Sequence, residues 1–327
     1  MPTMTRRTAL AAAPVLLAAA GAARRAAQAQ GAAAFPNRPV RIVVPYTPGG
    51  VSDITARLMA EPLAAAWGQP VPVENRAGAD GVIGTEAVAR SAPDGHILAL
   101  VSVGHPVNAA FYRLPYDTMR DFSFVTQTTS TPLVICAAKG FAANSPAELV
   151  AHAKKNPGVT FAGTGGVVRL APVLFAQRAE VELSYVPYRG STQAHPDLIA
   201  GRVDIMFDTV PAALPHIQSG ALKALATTGT KRAPQLPDVP TVAEGFMPDF
   251  EASTWGMVIA PAGLPAPLLA KLNADCVAAL RRPEVVERHR TLGAEVTTST
   301  PEEIRAFCQS ELEKWGEAAR RAGIRPQ

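Results

Sequence analysis

Cysteine is scarce in this chain of 327 residues, which contains only Cys136, Cys276 and Cys308. An odd number of cysteines argues against a fold held by a framework of disulfides. Cys276 and Cys308 fall on two expected C-terminal helices, where they could pair in an oxidising compartment. The alternative is that all three are small buried side chains, because free cysteine is among the most buried residue types.

Long apolar runs are absent after residue 34, so no later segment approaches the ~20 apolar residues that a membrane span requires. Residues 1–34 contain Arg6 and Arg7, an alanine- and leucine-rich stretch, and an A-x-A site at 27–29. This pattern predicts a secretory signal peptide that is cleaved between Ala29 and Ala34. The context of the two arginines also resembles a twin-arginine signal, and an ordinary Sec signal with a basic start is the alternative.

An excess of charge of one sign is also absent from the part expected to be exported. The chain has 31 basic and 27 acidic residues, and the leader contains four arginines and no acid. Without the leader, 27 basic residues balance 27 acidic ones. This zero net charge gives no support to the binding of nucleic acids or anionic membranes, which a strongly basic surface would attract. No nucleic-acid partner is expected.

The motifs of several enzyme classes are missing. The chain has no G-x-S-x-G sequence, and its six histidines show no paired metal-ligand spacing. A dinucleotide fingerprint starting at Gly163 lacks its third glycine, which is replaced by Val168. No catalytic residue, cofactor or metal is predicted, and an exported hydrolase remains the weakest alternative.

The most informative segment follows the leader, where an apolar strand over residues 40–44 enters a glycine turn and then a helix. Gly49 and Gly50 form the turn, and Ser52 or Asp53 is the expected N-cap of the helix. A helix N-terminus presents free N–H groups and the positive end of the helix dipole, which bind anions. Since no Gly-Lys-Ser/Thr follows, a small carboxylate is the expected ligand, not a phosphate.

Strands and helices alternate through almost the whole exported chain, which predicts an α/β fold with parallel sheets flanked by helices. Five expected strands end in small, polar or glycine-rich turns, after Val44, Val101, Ala162, Tyr188 and Phe207. Ligands of such sheets bind beyond the carboxyl ends of the strands, which adds Ser102 to the expected site.

The turns form two groups, which suit two domains facing each other across a cleft. The extended runs 131–139 and 254–261 are the expected connections between them. We predict a first domain over 35–132 plus 256–327 and a second domain over 133–255, after a signal peptide at 1–34.

Ordered blocks along the chain resemble the Bug family, the TctC-type periplasmic receptors of tripartite tricarboxylate transporters. The blocks are PNRPVRIVVPY at 36–46, GQPVPVENRAG at 68–78, LPYD at 114–117, VPYRG at 186–190, GRVD at 201–204, LPDVPTVAE at 236–244 and APAG at 260–263. The resemblance implies a two-domain, Venus-flytrap receptor in the periplasm. It would close on a small carboxylated solute and deliver it to transmembrane permease subunits, and a monomer is expected. A periplasmic sensor that reports the ligand to a membrane signalling protein is the alternative.

The resemblance also implies the site. The clamp on the ligand carboxylate would consist of Tyr46, Thr47, Gly49, Gly50 and Asp53. The opposing wall would come from Thr164, Gly165, Arg189, Gly190, Ser191 and Asp208. For Asp53, capping the helix and orienting the loop are favoured over direct contact with an anionic ligand, because the two negative charges would repel.

One departure from the family pattern concerns Arg169, which stands where the family commonly has a histidine. We hypothesise that Arg169 binds a second carboxylate or another polar group of the ligand, which would favour a dicarboxylate or an aromatic acid. A solvated arginine at a helix start is the alternative. Beyond this, the ligand stays unspecified at the level of sequence.

Overall fold

The computed structural model describes residues 35–164 and 166–327, so the predicted signal peptide and Gly165 lie outside the described residues. The strands of the described part are β1 Arg41–Val44, β2 Val73–Asn75, β3 Ile97–Ser102, β4 Phe122–Ala138, β5 Thr160–Gly163, β6 Ser184–Pro187, β7 Ile205–Thr209, β8 Leu222–Thr227, β9 Ser253–Pro261 and β10 Glu295–Val296. The α-helices are α1 Val51–Trp67, α2 Val82–Ala89, α3 Gly104–Val107, α4 Pro146–Lys155, α5 Gly166–Ala179, α6 Ser191–Ile199, α7 Val210–Gln218, α8 Val242–Gly245, α9 Ala266–Leu280, α10 Pro283–Thr291 and α11 Pro301–Arg321. Two 3₁₀ turns occupy Ala79–Gly81 and Asn108–Ala110.

The first sheet has the strand order β2-β1-β3-β9-β4, with β10 at the far side of β4. Strands β1, β2 and β3 are parallel, whereas β9 is antiparallel to both β3 and β4. Val44 and Leu98 are fully buried, as expected for strands covered by helices on both faces. The turns after β1 and β3 therefore meet at one edge of this sheet.

The second sheet has the order β6-β5-β7-β4, and β8 also pairs with β4. Strands β5, β6 and β7 are parallel, so the turns that follow them lie at one edge. This arrangement confirms the predicted α/β class with helices flanking the sheets. Each sheet is mixed and not mainly parallel as predicted, because β4 runs antiparallel to β9, β7 and β8.

Strand β4 belongs to both sheets. Pro132 pairs with Ser253 of β9, whereas the next residue, Leu133, pairs with Thr209 of β7. Sequence analysis predicts an extended run over 131–139, and residues 126–130, which are mostly threonine and serine, carry no apolar pattern that would lengthen it. The pairing with β9 extends the strand back to Phe122.

The second connection between the sheets runs from the end of β8 to the start of β9. Thr228 forms hydrogen bonds with residues of both connections. Its N–H donates to Leu133 O at 2.9 Å, and its carbonyl accepts from Ala252 N–H at 3.0 Å. Leu133 N–H donates in turn to Thr228 Oγ1 at 2.9 Å. The division into domains at 132/133 and 255/256 stays a prediction. The change of strand partners after Pro132 coincides with the first of these boundaries, and β9 starts at Ser253.

Helix α11 packs on the first sheet, and its side chains contact strand β9. The carboxylate of Glu311, which is 3% exposed, accepts hydrogen bonds from the indole N–H groups of Trp255 and Trp315, both at 2.9 Å. Lys314 also pairs with this carboxylate. A buried carboxylate is stable only with such partners. Trp255 is therefore a packing residue beside the connection between the sheets.

The three cysteines are buried free thiols. Cys276 lies on α9 and Cys308 on α11, and no disulfide joins them. Burial raises the pKa of the Cys276 and Cys308 thiols to about 12 and that of the Cys136 thiol well above its usual range, with a smaller contribution from a neighbouring carboxylate. The thiols therefore stay protonated and act as small apolar side chains.

Candidate functional site

The turn from β1 to α1 differs in one respect from the prediction. The N-cap residue is Gly50, not Ser52 or Asp53, and the helix begins at Val51. Gly50 is extended and no side chain caps the helix. The N–H groups in the first turn of an α-helix have no hydrogen-bond acceptor within that helix. The N-terminus of α1 can therefore bind an anion.

Asp53 holds this turn from inside the helix. Its carboxylate is 4% exposed and accepts from Gly49 N–H at 2.9 Å, from Asn75 Nδ2 at 2.9 Å and from Arg57 Nε at 3.1 Å. Burial opposes ionisation of Asp53, but the hydrogen bonds from Arg57, Gly49 and Asn75 outweigh it and lower the pKa. With both oxygens occupied, the carboxylate is placed to orient the loop, which is the role that we favour.

We expect Asp53→Ala to destabilise the protein in a pH-dependent manner. Because the folded-state pKa is lowered, Asp53 contributes stability above the unfolded pKa of about 3.9, and this contribution is lost as pH falls through the folded-state pKa. The loss of hydrogen bonds to a charged group should cost about 1–3 kcal/mol at pH 7. Urea unfolding of both proteins from pH 7 to pH 2.5 measures the difference.

The difference in unfolding free energy between the wild type and Asp53→Ala should shrink at the acidic end of this range. Asp249→Ala serves as control, because Asp249 is an exposed acid on a loop far along the chain. A difference that stayed constant with pH would show that the Asp53 charge does not stabilise the turn.

The space in front of this turn is open. Gly49 has φ +90°, a backbone conformation that favours glycine, and no heavy atom lies within 4 Å of a Cβ placed at Gly49 or Gly50. Thr47 is exposed beside them. A ligand can therefore approach the backbone of the turn closely.

Tyr46 and Ser102 form a second polar group at the same edge of the sheet. The Tyr46 hydroxyl oxygen accepts from Ser102 N–H at 3.1 Å and from Ser102 Oγ at 2.8 Å. Burial raises the pKa of Tyr46 despite these bonds, so the phenol stays neutral. The contact between the two hydroxyls uses one of their two protons, so the Tyr46–Ser102 pair can donate the other proton to a ligand oxygen.

Gly190 and Ser191 lie at the opposing edge, at the start of α6. Gly190 is the extended N-cap and no side chain caps the helix, as at α1. Ser191 Oγ donates to Asp208 Oδ1 at 2.8 Å, and His195 Nε2 donates to Asp208 Oδ2 at 2.7 Å. Asp208 is 1% exposed and also accepts from Thr209 N–H. The structure thus places Asp208 beneath the wall, where it supports Ser191.

The same contacts speak against a serine nucleophile at this position. In a catalytic triad the histidine binds the serine hydroxyl and the acid binds the histidine. Here the acid lies between them, because Asp208 accepts from both Ser191 and His195. Ser191 therefore has no general base among these three residues.

The remaining predicted wall residues are less constrained. Thr164 is partly buried after β5, and Gly165 lies outside the described residues. Arg189 is exposed on the turn before α6. The structure brings Thr164 and Arg189 to the same edge of the second sheet, because they follow the parallel strands β5 and β6.

Arg169 lies near the start of α5 and contacts two aromatic rings. Its guanidinium carbon lies 4.5 Å from the centroid of the Tyr185 ring and 5.3 Å from that of Phe111. Sequence analysis misses both rings, and it also misses Asn75 as a partner of Asp53. Asn75 ends a parallel strand, so the rule on strand ends would have identified it.

One well-defined crevice lies elsewhere in the described part of the chain. It encloses about 1020 Å³ and is lined by β4, the segment 229–235 and the region from Arg281 to Thr298. None of the predicted site residues lines it. We place the candidate site at the ends of β1, β3, β5, β6 and β7, because free N–H groups and open space coincide there.

Within residues 35–164 and 166–327, no helix is long and apolar enough to cross a membrane. The same part contains no group of three or more metal-binding side chains.

Two sheets joined by a shared strand, with a polar cleft at the ends of their strands, define an α/β periplasmic-binding-protein fold. The profile of the TctC family, described as "Tripartite tricarboxylate transporter family receptor", matches residues 55–324. The chain therefore belongs to this family of periplasmic solute-binding receptors, which confirms the resemblance stated above.

Several relatives support this assignment. Protein BugT of Bordetella pertussis is 38% identical over 297 residues, which cover 89% of this chain and 91% of BugT. Among solved structures, R. palustris Rpa4515 with adipate is 33% identical with a TM-score of 0.74, over 90% of this chain and all of that one. MatC from Rhodopseudomonas palustris with bound malate is 33% identical with a TM-score of 0.71, over 87% of this chain and 100% of MatC.

Proposed function

We propose that this protein is a periplasmic receptor that captures a small carboxylated solute in its cleft and delivers it to the permease of a tripartite tricarboxylate transporter. The observation that carries the proposal is the N-terminus of α1. It has no side-chain cap, open space lies in front of Gly49 and Gly50, and Asp53 fixes the turn from behind. A carboxylate suits these N–H donors and the helix dipole.

In this proposal the ligand lies between two walls. Tyr46, Thr47, Gly49 and Gly50 bind it from the first sheet, and Asp53 and Ser102 hold that wall in place. From the second sheet, Thr164, Gly165, Arg189, Gly190 and Ser191 face it, with Arg169 beside them and Asp208 underneath. Closure occurs about the two connections that Thr228 joins, between domains 35–132 plus 256–327 and 133–255.

The adipate and malate in the related structures make small dicarboxylates the first compounds to test. We expect export by the signal peptide at 1–34, action as a monomer and no catalytic turnover. A thermal-shift screen of the purified protein should include di- and tricarboxylates, amino acids and aromatic acids. A ligand at 100 times its Kd adds about 2.7 kcal/mol to the unfolding free energy, which raises Tm by several degrees.

The delivery step needs a separate experiment in cells. Deleting the gene should abolish uptake of the compound that stabilises the protein, and the wild-type gene should restore uptake. A screen in which no carboxylate raises Tm would overturn the proposed ligand class. Uptake that continued unchanged in the deletion strain would overturn the proposed role in transport.

A further inference from the structure

Arg169 connects the two halves of the molecule through aromatic rings. Tyr185 lies on β6 of the second sheet, whereas Phe111 follows the 3₁₀ turn Asn108–Ala110, which packs against α3 and α11 on the first sheet. The guanidinium lies over both rings. Contacts of this kind hold a cation by its attraction to the faces of the rings.

A guanidinium that lies over aromatic rings keeps its N–H donors at its edge, where a planar acceptor can reach them. Arg57 pairs with Asp53 and Arg202 pairs with Asp197, whereas the exposed Arg189 of the wall has no ion pair within the described residues. Within residues 35–164 and 166–327, no carboxylate forms an ion pair with Arg169. Its contacts there are the two rings, which orient the group and leave its hydrogen-bonding capacity unused.

The ring of Phe111 lies in a segment that is tied to the clamp. The neighbouring Tyr112 hydroxyl donates to Asp80 Oδ2 at 2.5 Å. The next residue after Asp80 is Gly81, where a Cβ would lie 2.9 Å from Cε1 of Tyr46. Through these contacts the position of Arg169 is linked to the same wall that carries the α1 turn.

Resting on the proposed function, we propose that Phe111 and Tyr185 are positioning residues that hold Arg169 for the second acidic group of a dicarboxylate. The first carboxylate binds at the N-terminus of α1. The second accepts two parallel N–H bonds from Arg169, the geometry in which arginine binds carboxylates best. Selectivity for dicarboxylates over monocarboxylates of the same length follows from this arrangement, because a methyl end leaves the guanidinium without an acceptor.

The test compares the affinities of adipate and hexanoate by calorimetric titration, since the two acids have the same chain length and differ in one carboxylate. The wild type should bind adipate at least tenfold more tightly. Arg169→Gln should bring the ratio of the two affinities close to one by weakening adipate binding alone. Phe111→Leu and Tyr185→Leu should lower the ratio about three- to tenfold, whereas Phe111→Tyr and Tyr185→Phe, which keep the rings, should preserve it.

A matched control is Arg178→Gln on the same helix. Arg178 also lies near an aromatic ring, 5.9 Å from the centroid of Phe250, but it donates to the carbonyl of Asp249 and is exposed. This variant should leave the ratio unchanged. Adding Phe111→Leu to Arg169→Gln should have no further effect on the ratio, because the ring acts through the arginine. A merely structural role of the ring would lower both affinities together.

The outcomes separate the two proposals. Equal affinities of the wild type for both acids, or a ratio that Arg169→Gln leaves unchanged, would overturn this inference while carboxylate binding stands. Binding of neither acid, with no carboxylate of the wider screen stabilising the protein, would overturn the proposed function and this inference with it.

Discussion

Replacing Gly50 with valine should weaken carboxylate binding ten- to a hundredfold while the fold persists. Gly50 is extended, with φ −76° and ψ 168°, and no heavy atom lies within 4 Å of a Cβ built there. Valine adopts this conformation without strain, so the main cost to stability is a poorer N-cap, about 1 kcal/mol or less. The new side chain would occupy the approach to the first N–H groups of α1. Losing one hydrogen bond to a charged group costs about 1.5–3 kcal/mol, which corresponds to the expected change in Kd.

The control for Gly50→Val is Gly140→Val. Gly140 lies on the exposed turn after β4, also with open space at its Cβ, and is not part of the cleft. Both variants should unfold in urea close to the wild type, and only Gly50→Val should lose affinity in a calorimetric titration with the compound from the screen. If Gly50→Val bound as tightly as the wild type, the N-terminus of α1 would not be the carboxylate site.

Replacing Asp208 with alanine should lower the free energy of unfolding by about 3–5 kcal/mol, because the change leaves a buried partner unpaired. His195 is 6% exposed and donates to Asp208, and Ser191 Oγ loses its acceptor at the same time. Ligand affinity should fall too, since the N-terminus of α6 is no longer fixed. Urea unfolding and calorimetric titration measure the two effects.

Two further variants show whether this effect belongs to the buried contacts. Asp208→Asn should recover part of the stability, because an amide can accept from Ser191 and donate to one tautomer of His195. Asp197→Ala removes an acid from the same helix α6, but its pairing with Arg202 is at the surface, and the loss should be much smaller. Equal losses in Asp208→Ala and Asp197→Ala would contradict the role of the buried carboxylate.

The start of α1 illustrates how far the sequence predicts the site. The strand, the glycine turn and the helix lie where the pattern places them, because apolar runs and glycines act locally. The N-cap is wrong by two or three residues. Serine and aspartate are preferred caps, but here Asp53 occupies the third helical position and reaches back to Gly49 N–H. Local sequence favours both geometries.

A capping box gives a similar result at α4. The sequence Ser145-Pro146-Ala147-Glu148 predicts a capping box with Ser145 as the N-cap, and Ser145 Oγ accepts from Glu148 N–H at 3.2 Å, as expected. The side chain of Glu148 accepts from Asn144 N–H, not from Ser145 N–H. The helix boundary is therefore confirmed, whereas one of its hydrogen bonds depends on the conformation of the preceding loop.

The sequence by itself determined the α/β class, the family, the charge balance and the turns at which a ligand is expected, because periodicity, glycine turns and ordered motifs are local properties. The tertiary structure alone decided which groups have partners. It buried Asp208 under Ser191 and His195, joined Asp53 to Asn75, and set Arg169 over Phe111 and Tyr185. Hydrogen bonds form at about 3 Å and cation–π contacts within about 6 Å. Distances this short between residues that are separated in the chain are set by the pairing of strands and the packing of helices on them.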